Sequence, residues 1–214
     1  RGGTMKPGEV ISFSSPSPMR EADTSQIKLY VFSRDVKTQI PFYLAPDTTS
    51  ARIYFLIAKL AEGEKYLLVA DKGAFRDIYG EISDSAGFQF TVRPANSYGR
   101  LIVKLTGLSG NVIIQLLDKS EKVLMQRVPD YRGEADFPLL EKGKYRLRAV
   151  FDTDGNGIWT TGDFDIRRQP EPVTYYPGEI DIMTDWVVEQ EWDLGRLYEK
   201  SPGLINLNSE QNRR

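Results

Sequence analysis

Apolar and polar residues alternate over short runs along most of the chain, and the runs are rich in β-branched and aromatic residues, which favours strands over helices. In the first half, residues 9–13 (EVISF), 27–32 (IKLYVF), 64–70 (EKYLLVA) and 88–92 (FQFTV) read as strands, with the Ser-Pro run at 14–18 breaking the first. Residues 51–60 (ARIYFLIAKL) are the longest apolar stretch there. Ile53, Tyr54, Phe55 and Ile57, together with the length of that stretch, suit a buried sandwich strand better than a helix. Residues 39–44 contain Pro41, which has no amide to donate, so that run is expected at a sheet edge or irregular.

From residue 98 the pattern becomes a meander. Residues 100–105, 112–117, 122–128, 134–140 and 144–152 alternate as strands, with Gly107, Gly110, Gly133 and Gly143 at the corners. Pro170, Pro172 and Pro177 exclude a helix across the stretch that holds them, and residues 179–190 supply one or two closing strands with Trp186 expected inside. The junction Asn96-Ser97-Tyr98-Gly99 divides the chain. The expectation is an all-β protein of two tandem β-sandwich domains, residues 1–97 and 98–194, followed by a polar tail over 195–214.

Composition narrows the chemistry. A net charge of -2 gives no field that would recruit nucleic acid. Without cysteine there are no disulfides, thiolate nucleophiles or thiolate metal sites, and without histidine there is no Ser-His-Asp machinery or imidazole-bound zinc. No enzyme is expected. A carboxylate hydrolase, the catalytic alternative, would need two acids about 5 to 9 Å apart across a cleft. Asp181, Asp185, Glu189 and Glu191 read instead as the solvated face of an edge strand. No run approaches the length of a membrane span, so direct membrane insertion is not expected. The chain opens on RGGTMKPGE without an initiator Met, and is expected to be a fragment whose targeting segment lies elsewhere.

One stretch carries site chemistry. In DTDGNGIWTTGD, Asp152, Asp154, Asn156 and Asp163 stand at positions 1, 3, 5 and 12 of a twelve-residue calcium loop, with Gly157 at position 6 for the sharp turn. Ile158 would add its carbonyl. Position 12 is a shorter Asp in place of the usual Glu, and no helices flank the loop, so this is not an EF-hand. The competing reading is a polar turn, since Asp, Asn and Gly suit any tight loop. Asp152, Asp154, Asp163 and Asp165 crowd four carboxylates into fourteen residues, which calls for a counter-ion, either calcium or Arg167 and Arg168. Trp159, Tyr175 and Tyr176 are the candidate ligand-binding aromatics, and they frame an alternative function as a glycan-binding module.

Three resemblances follow from particular residues. Tyr66, Leu68, Gly73, Ala74, Phe75, Asp77, Tyr79, Gly80, Phe88, Phe90 and Val92 resemble the pattern of bacterial Ig-like domains of the surface-layer type. Leu140, Gly143, Lys144, Tyr145, Arg146 and Leu147 resemble the corner of prealbumin-like and carboxypeptidase-regulatory-like sandwiches. The second half as a whole, through GKYRLRAVFDTDGNG, RQPEPV and the closing Trp residues, resembles the C-terminal region of Bacteroidetes-type Ig-like-domain lipoproteins. That last resemblance implies a cell-envelope protein held by a lipidated cysteine far upstream, outer-membrane-anchored and extracytoplasmic; the role expected beside it is a non-catalytic structural or interaction module, with an envelope protein or a glycan as partner.

Overall fold

A computed structural model describes residues 3–195 except Asp35, Ser109, Asp163 and Ile166. The described residues form an all-β chain that separates into two compact units, Arg1–Ala95 and Asn96–Arg214. No helix among them is long and apolar enough to cross a membrane.

The first unit carries β1 (Gly3–Met5), β2 (Ile11–Ser14), β3 (Met19–Ala22), β4 (Ile27–Ser33), β5 (Val36–Ile40), β6 (Tyr43–Pro46), β7 (Ile53–Ile57), β8 (Lys65–Ala70), β9 (Phe75–Asp77) and β10 (Ala86–Val92). A five-stranded sheet in the order β1-β10-β8-β4-β5 faces a three-stranded sheet β2-β7-β6, with β3 and β9 paired separately. Ile27, Leu29, Tyr66, Leu68, Phe90 and Val92 from the larger sheet pack with Leu56 from the smaller one. Pro41 acts as expected of a residue without an amide donor. The run around it splits into β5 and β6, and the chain crosses from one sheet to the other at Pro41-Phe42. Asp77 closes a turn, its Oδ1 accepting from Tyr79 N and Glu81 N at 2.9 Å each while Gly80 takes φ +91°.

The second unit carries β11 (Gly99–Thr106), β12 (Asn111–Leu117), β13 (Val123–Arg127), β14 (Glu134–Leu140), β15 (Gly143–Asp152), β16 (Val173–Tyr175), β17 (Ile180–Ile182) and β18 (Val187–Asp193). One sheet runs β14-β11-β18 and the other β13-β12-β15-β16, with β17 also paired to β15. Between them lie Leu101, Val103, Ile114, Leu116, Phe137, Leu147 and Trp192, each nearly free of solvent contact. β18 runs parallel to β11, from Arg100 opposite Val187 to Thr106 opposite Asp193.

The expectation for Trp186 is overturned: it is 64% exposed. Asp185 takes a left-handed φ of 61° and donates its amide to Tyr98 O, so the strand begins only at Val187 and its alternation does not extend back to Trp186. Trp192 fills the core instead. The assigned tail, residues 195–214, lies outside the described residues beyond Gly195.

Candidate metal centre

β15 ends at Asp152, which pairs with Asn111 and is buried. Gly155 and Gly157, at φ +72° and +76°, then reverse the chain so tightly that the two oxygens of Asp152 accept from Asn156 N at 3.1 Å and Gly157 N at 3.0 Å. Asp154 uses one oxygen for Asn156 N at 3.2 Å. Its other oxygen takes Thr160 Oγ1 at 3.0 Å and Arg168 Nη2 at 2.8 Å, so Arg168, one of the two arginines considered as counter-ions, meets an acid of the loop. Asn156 bridges within the turn, accepting from Ile158 N at 2.8 Å and donating to Thr160 Oγ1 at 2.7 Å.

The residue that organises the loop falls outside the twelve-residue frame. Glu171 is only 5% exposed. Its Oε1 accepts from Thr153 N at 2.7 Å, Thr153 Oγ1 at 3.2 Å and Asp154 N at 3.4 Å, and its Oε2 accepts from Thr160 N at 2.9 Å. One carboxylate therefore ties the outgoing limb of the loop to the returning one. The sequence signal for it is slender: a lone acid between Pro170 and Pro172, where the chain must run extended back along β15.

Single carboxylate oxygens of Asp152, Asp154 and Glu171 lie within 4.8 Å of one another, the one such acidic group among the described residues. A carboxylate offers about four acceptor positions. Glu171 already takes four donors and acts as the scaffold, whereas Asp152 takes two and keeps the most capacity for a cation. Oxygen-only donors suit a hard ion such as calcium. Asp163, the expected closing acid, lies outside the described residues. Ile158 donates its backbone N–H to Asn156 Oδ1, and its side chain is turned to solvent.

The surroundings of Asp154 favour its charged form. Burial alone would raise the Asp154 pKa, but the hydrogen bonds from Thr160 and Asn156 and the charge of Arg168 outweigh it and hold the group below its ordinary 3.8. A general acid needs a shift in the opposite direction.

The aromatic candidates separate. Trp159 donates Nε1 to Glu171 O at 3.2 Å and sits against the Arg148 guanidinium at 5.7 Å. Tyr175 lies opposite Arg148 across the β15–β16 ladder and meets the Arg146 guanidinium at 5.7 Å. Tyr176 turns the other way, into the core, edge-on to Trp192 at 5.6 Å. The loop also lies across the outer face of this sheet, where Gln126 Nε2 donates to Gly157 O at 3.3 Å. Ile113 and Val150, which alternation directs to that outer face, are fully buried.

No family model and no curated protein matches the sequence. Among solved structures, the major pilin subunit BcpA of Bacillus cereus is similar at 10% identity with a TM-score of 0.32, over 90% of this chain and 66% of that one. The N-terminal part of the bacterial S-layer protein SbsC is similar at 11% identity with a TM-score of 0.37, over 86% and 42%. The backbone protein of group B streptococcus pilus 2b is similar at 12% identity with a TM-score of 0.25, over 86% and 83%. The chain thus spans less than two thirds of the pilin subunit and of the S-layer fragment.

Proposed function

We propose that this chain is a non-catalytic cell-surface module of an envelope lipoprotein, and that calcium rigidifies the loop between β15 and β16. The observation that carries the metal reading is the convergence of Asp152, Asp154 and Glu171 at the end of β15. The donor set is oxygen alone, on a loop with two glycine reversals, which suits the larger and geometrically tolerant calcium better than magnesium. The spacing assigns Asn156, the Ile158 carbonyl and Asp163 as the remaining oxygens. The envelope address is supported by the lipoprotein resemblance of the second half, and the non-catalytic reading by the lack of histidine and cysteine.

The test is a thermal melt in EDTA and again in about 10 mM calcium. A dissociation constant of about 0.1 to 1 mM gives roughly 1.4 to 2.7 kcal/mol by mass action, a rise of several degrees. The rise should vanish in Asp152→Asn. A melt indifferent to calcium would make residues 152–163 an ordinary polar turn.

A further inference from the structure

The outer face of the β13-β12-β15-β16 sheet presents a surface that the metal reading does not use. Arg146 and Arg148 project from it two residues apart on β15, the spacing that returns a strand to the same face. Each guanidinium is matched with an aromatic ring, Arg146 with Tyr175 and Arg148 with Trp159, both at 5.7 Å, within the range of a cation–π contact. The rings are only partly covered, Trp159 remaining 39% exposed and Tyr175 38%. The second pair is also held in place. The Trp159 indole is fixed by its bond to Glu171 O, and Arg148 by donation of Nε to Gln115 Oε1 at 2.8 Å, where Gln115 is itself buried.

Held this way, Arg148 keeps its two terminal nitrogens free of any protein acceptor among the described residues. Arg146 gives one nitrogen to Glu121 at 2.7 Å and keeps others. A guanidinium fork with free terminal N–H groups matches a carboxylate in two parallel bonds. A partly open aromatic ring beside it matches the apolar face of a sugar ring. Two such pairs stand side by side on a rigid sheet. Of the acids nearby, Glu121 is paired with Arg146, whereas Glu171 is buried and fully used and Asp154 is paired with Arg168, so the positive charge of the face rests on Arg148.

The geometry points to this face as a binding surface for an acidic polysaccharide, one whose sugar rings carry carboxylates, with Trp159 and Tyr175 stacking on rings and Arg146 and Arg148 taking the carboxylates. Charge complementarity selects this occupant over a neutral glycan, which would leave the charge of Arg148 without a counter-ion, since its bond to Gln115 is to a neutral amide. The surface is assembled by protein contacts alone, so it stands whether or not the loop holds calcium.

The experiment is calorimetric titration of the whole chain with a uronic-acid oligomer, beside a neutral oligomer of equal length and a polyglutamate of equal charge, each in EDTA and in calcium. Binding of the uronic-acid oligomer alone, weakened by salt, is expected. Arg148→Gln and Tyr175→Ala, both on strands, should each lower affinity about tenfold, as should Trp159→Ala. Equal binding of polyglutamate would reduce the surface to bare charge and overturn the assignment. So would equal binding of the neutral oligomer, the absence of binding, or binding that survives the double substitution Arg146→Gln, Arg148→Gln. Because the melt reads calcium and this titration reads sugar, failure of either leaves the other result distinct.

Discussion

Glu171 and Thr160 hold each other twice: Glu171 N donates to Thr160 O at 3.1 Å, and Thr160 N donates back to Glu171 Oε2 at 2.9 Å. With Thr153 and Asp154 on the other oxygen, a single buried side chain closes the loop. Glu171→Ala strands these donors, and bonds to a charged acceptor contribute about 1.5 to 3 kcal/mol. The expected loss is about 3 kcal/mol, confined to the second unit. All three tryptophans of the chain, Trp159, Trp186 and Trp192, fall in that unit, so urea unfolding followed by tryptophan fluorescence reports on it selectively. An unchanged midpoint would show that the loop does not depend on Glu171.

Asp154 sets a pH dependence. Its folded pKa lies below the ordinary 3.8, so the stabilisation it gives is present above that value and is lost as the pH falls through the lower folded one. Tryptophan emission should therefore hold steady from pH 7 to about 5 and change in the acid limb below about 4. Asp154→Asn should remove this contribution. An identical acid limb in the variant would place the titration on another group.

The two tryptophans near β18 should respond in opposite ways. Trp192 is buried and meets Tyr176 edge-on, so Trp192→Ala is expected to destabilise the second unit by about 3 to 5 kcal/mol. Trp186→Ala should stay within about 0.5 kcal/mol, the range of exposed substitutions. Paired denaturation curves decide this, and a large effect at Trp186 would contradict its exposed position.

Gly99 admits no side chain. A Cβ there would meet Ile182 Cγ2, and would lie 2.5 Å from Met183 O, a carbonyl that cannot rotate away. Gly99→Ala should push the start of β11 from the chain following β17 and reduce stability by about 1 to 3 kcal/mol, measured by thermal unfolding. Gly110→Ala, with nothing within 4 Å but φ +82°, tests backbone conformation alone and should have the smaller effect.

Much of the fold was legible in alternation. Residues 134–140 form β14 over that same span, the strand read at 100–105 is one residue longer at each end as β11, and those read at 112–117 and 144–152 each begin one residue earlier as β12 and β15. What alternation could not find were strands made by pairing alone. β3 (MREA) and β9 (FRD) are short and polar, and each exists because the other lies beside it. β16 follows directly on Pro172, and only its ladder with β15 reveals it. The candidate site divides in the same way. The turn from Asp152 to Gly157 is local, and its spacing is visible in the sequence. Glu171 reaches Asp154 from 17 residues away, a contact that only the returning chain creates. Trp186 shows the remaining weakness, since one left-handed residue at Asp185 ends the phase that alternation assumes.

The parallel pairing of β11 with β18 gives the second unit a direction of strength. Its first strand enters at one end of the pair and its last strand leaves at the other, so tension applied at Gly99 and Asp193 slides the two strands lengthwise. The ladder is then loaded in shear along all its paired positions together, rather than opened from one end. β1 and β10 repeat the arrangement in the first unit, with Gly3 opposite Phe90 and Met5 opposite Val92. Each unit is thereby closed by a clasp that resists stretching along the chain, and the shorter clasp, in the first unit, should yield first.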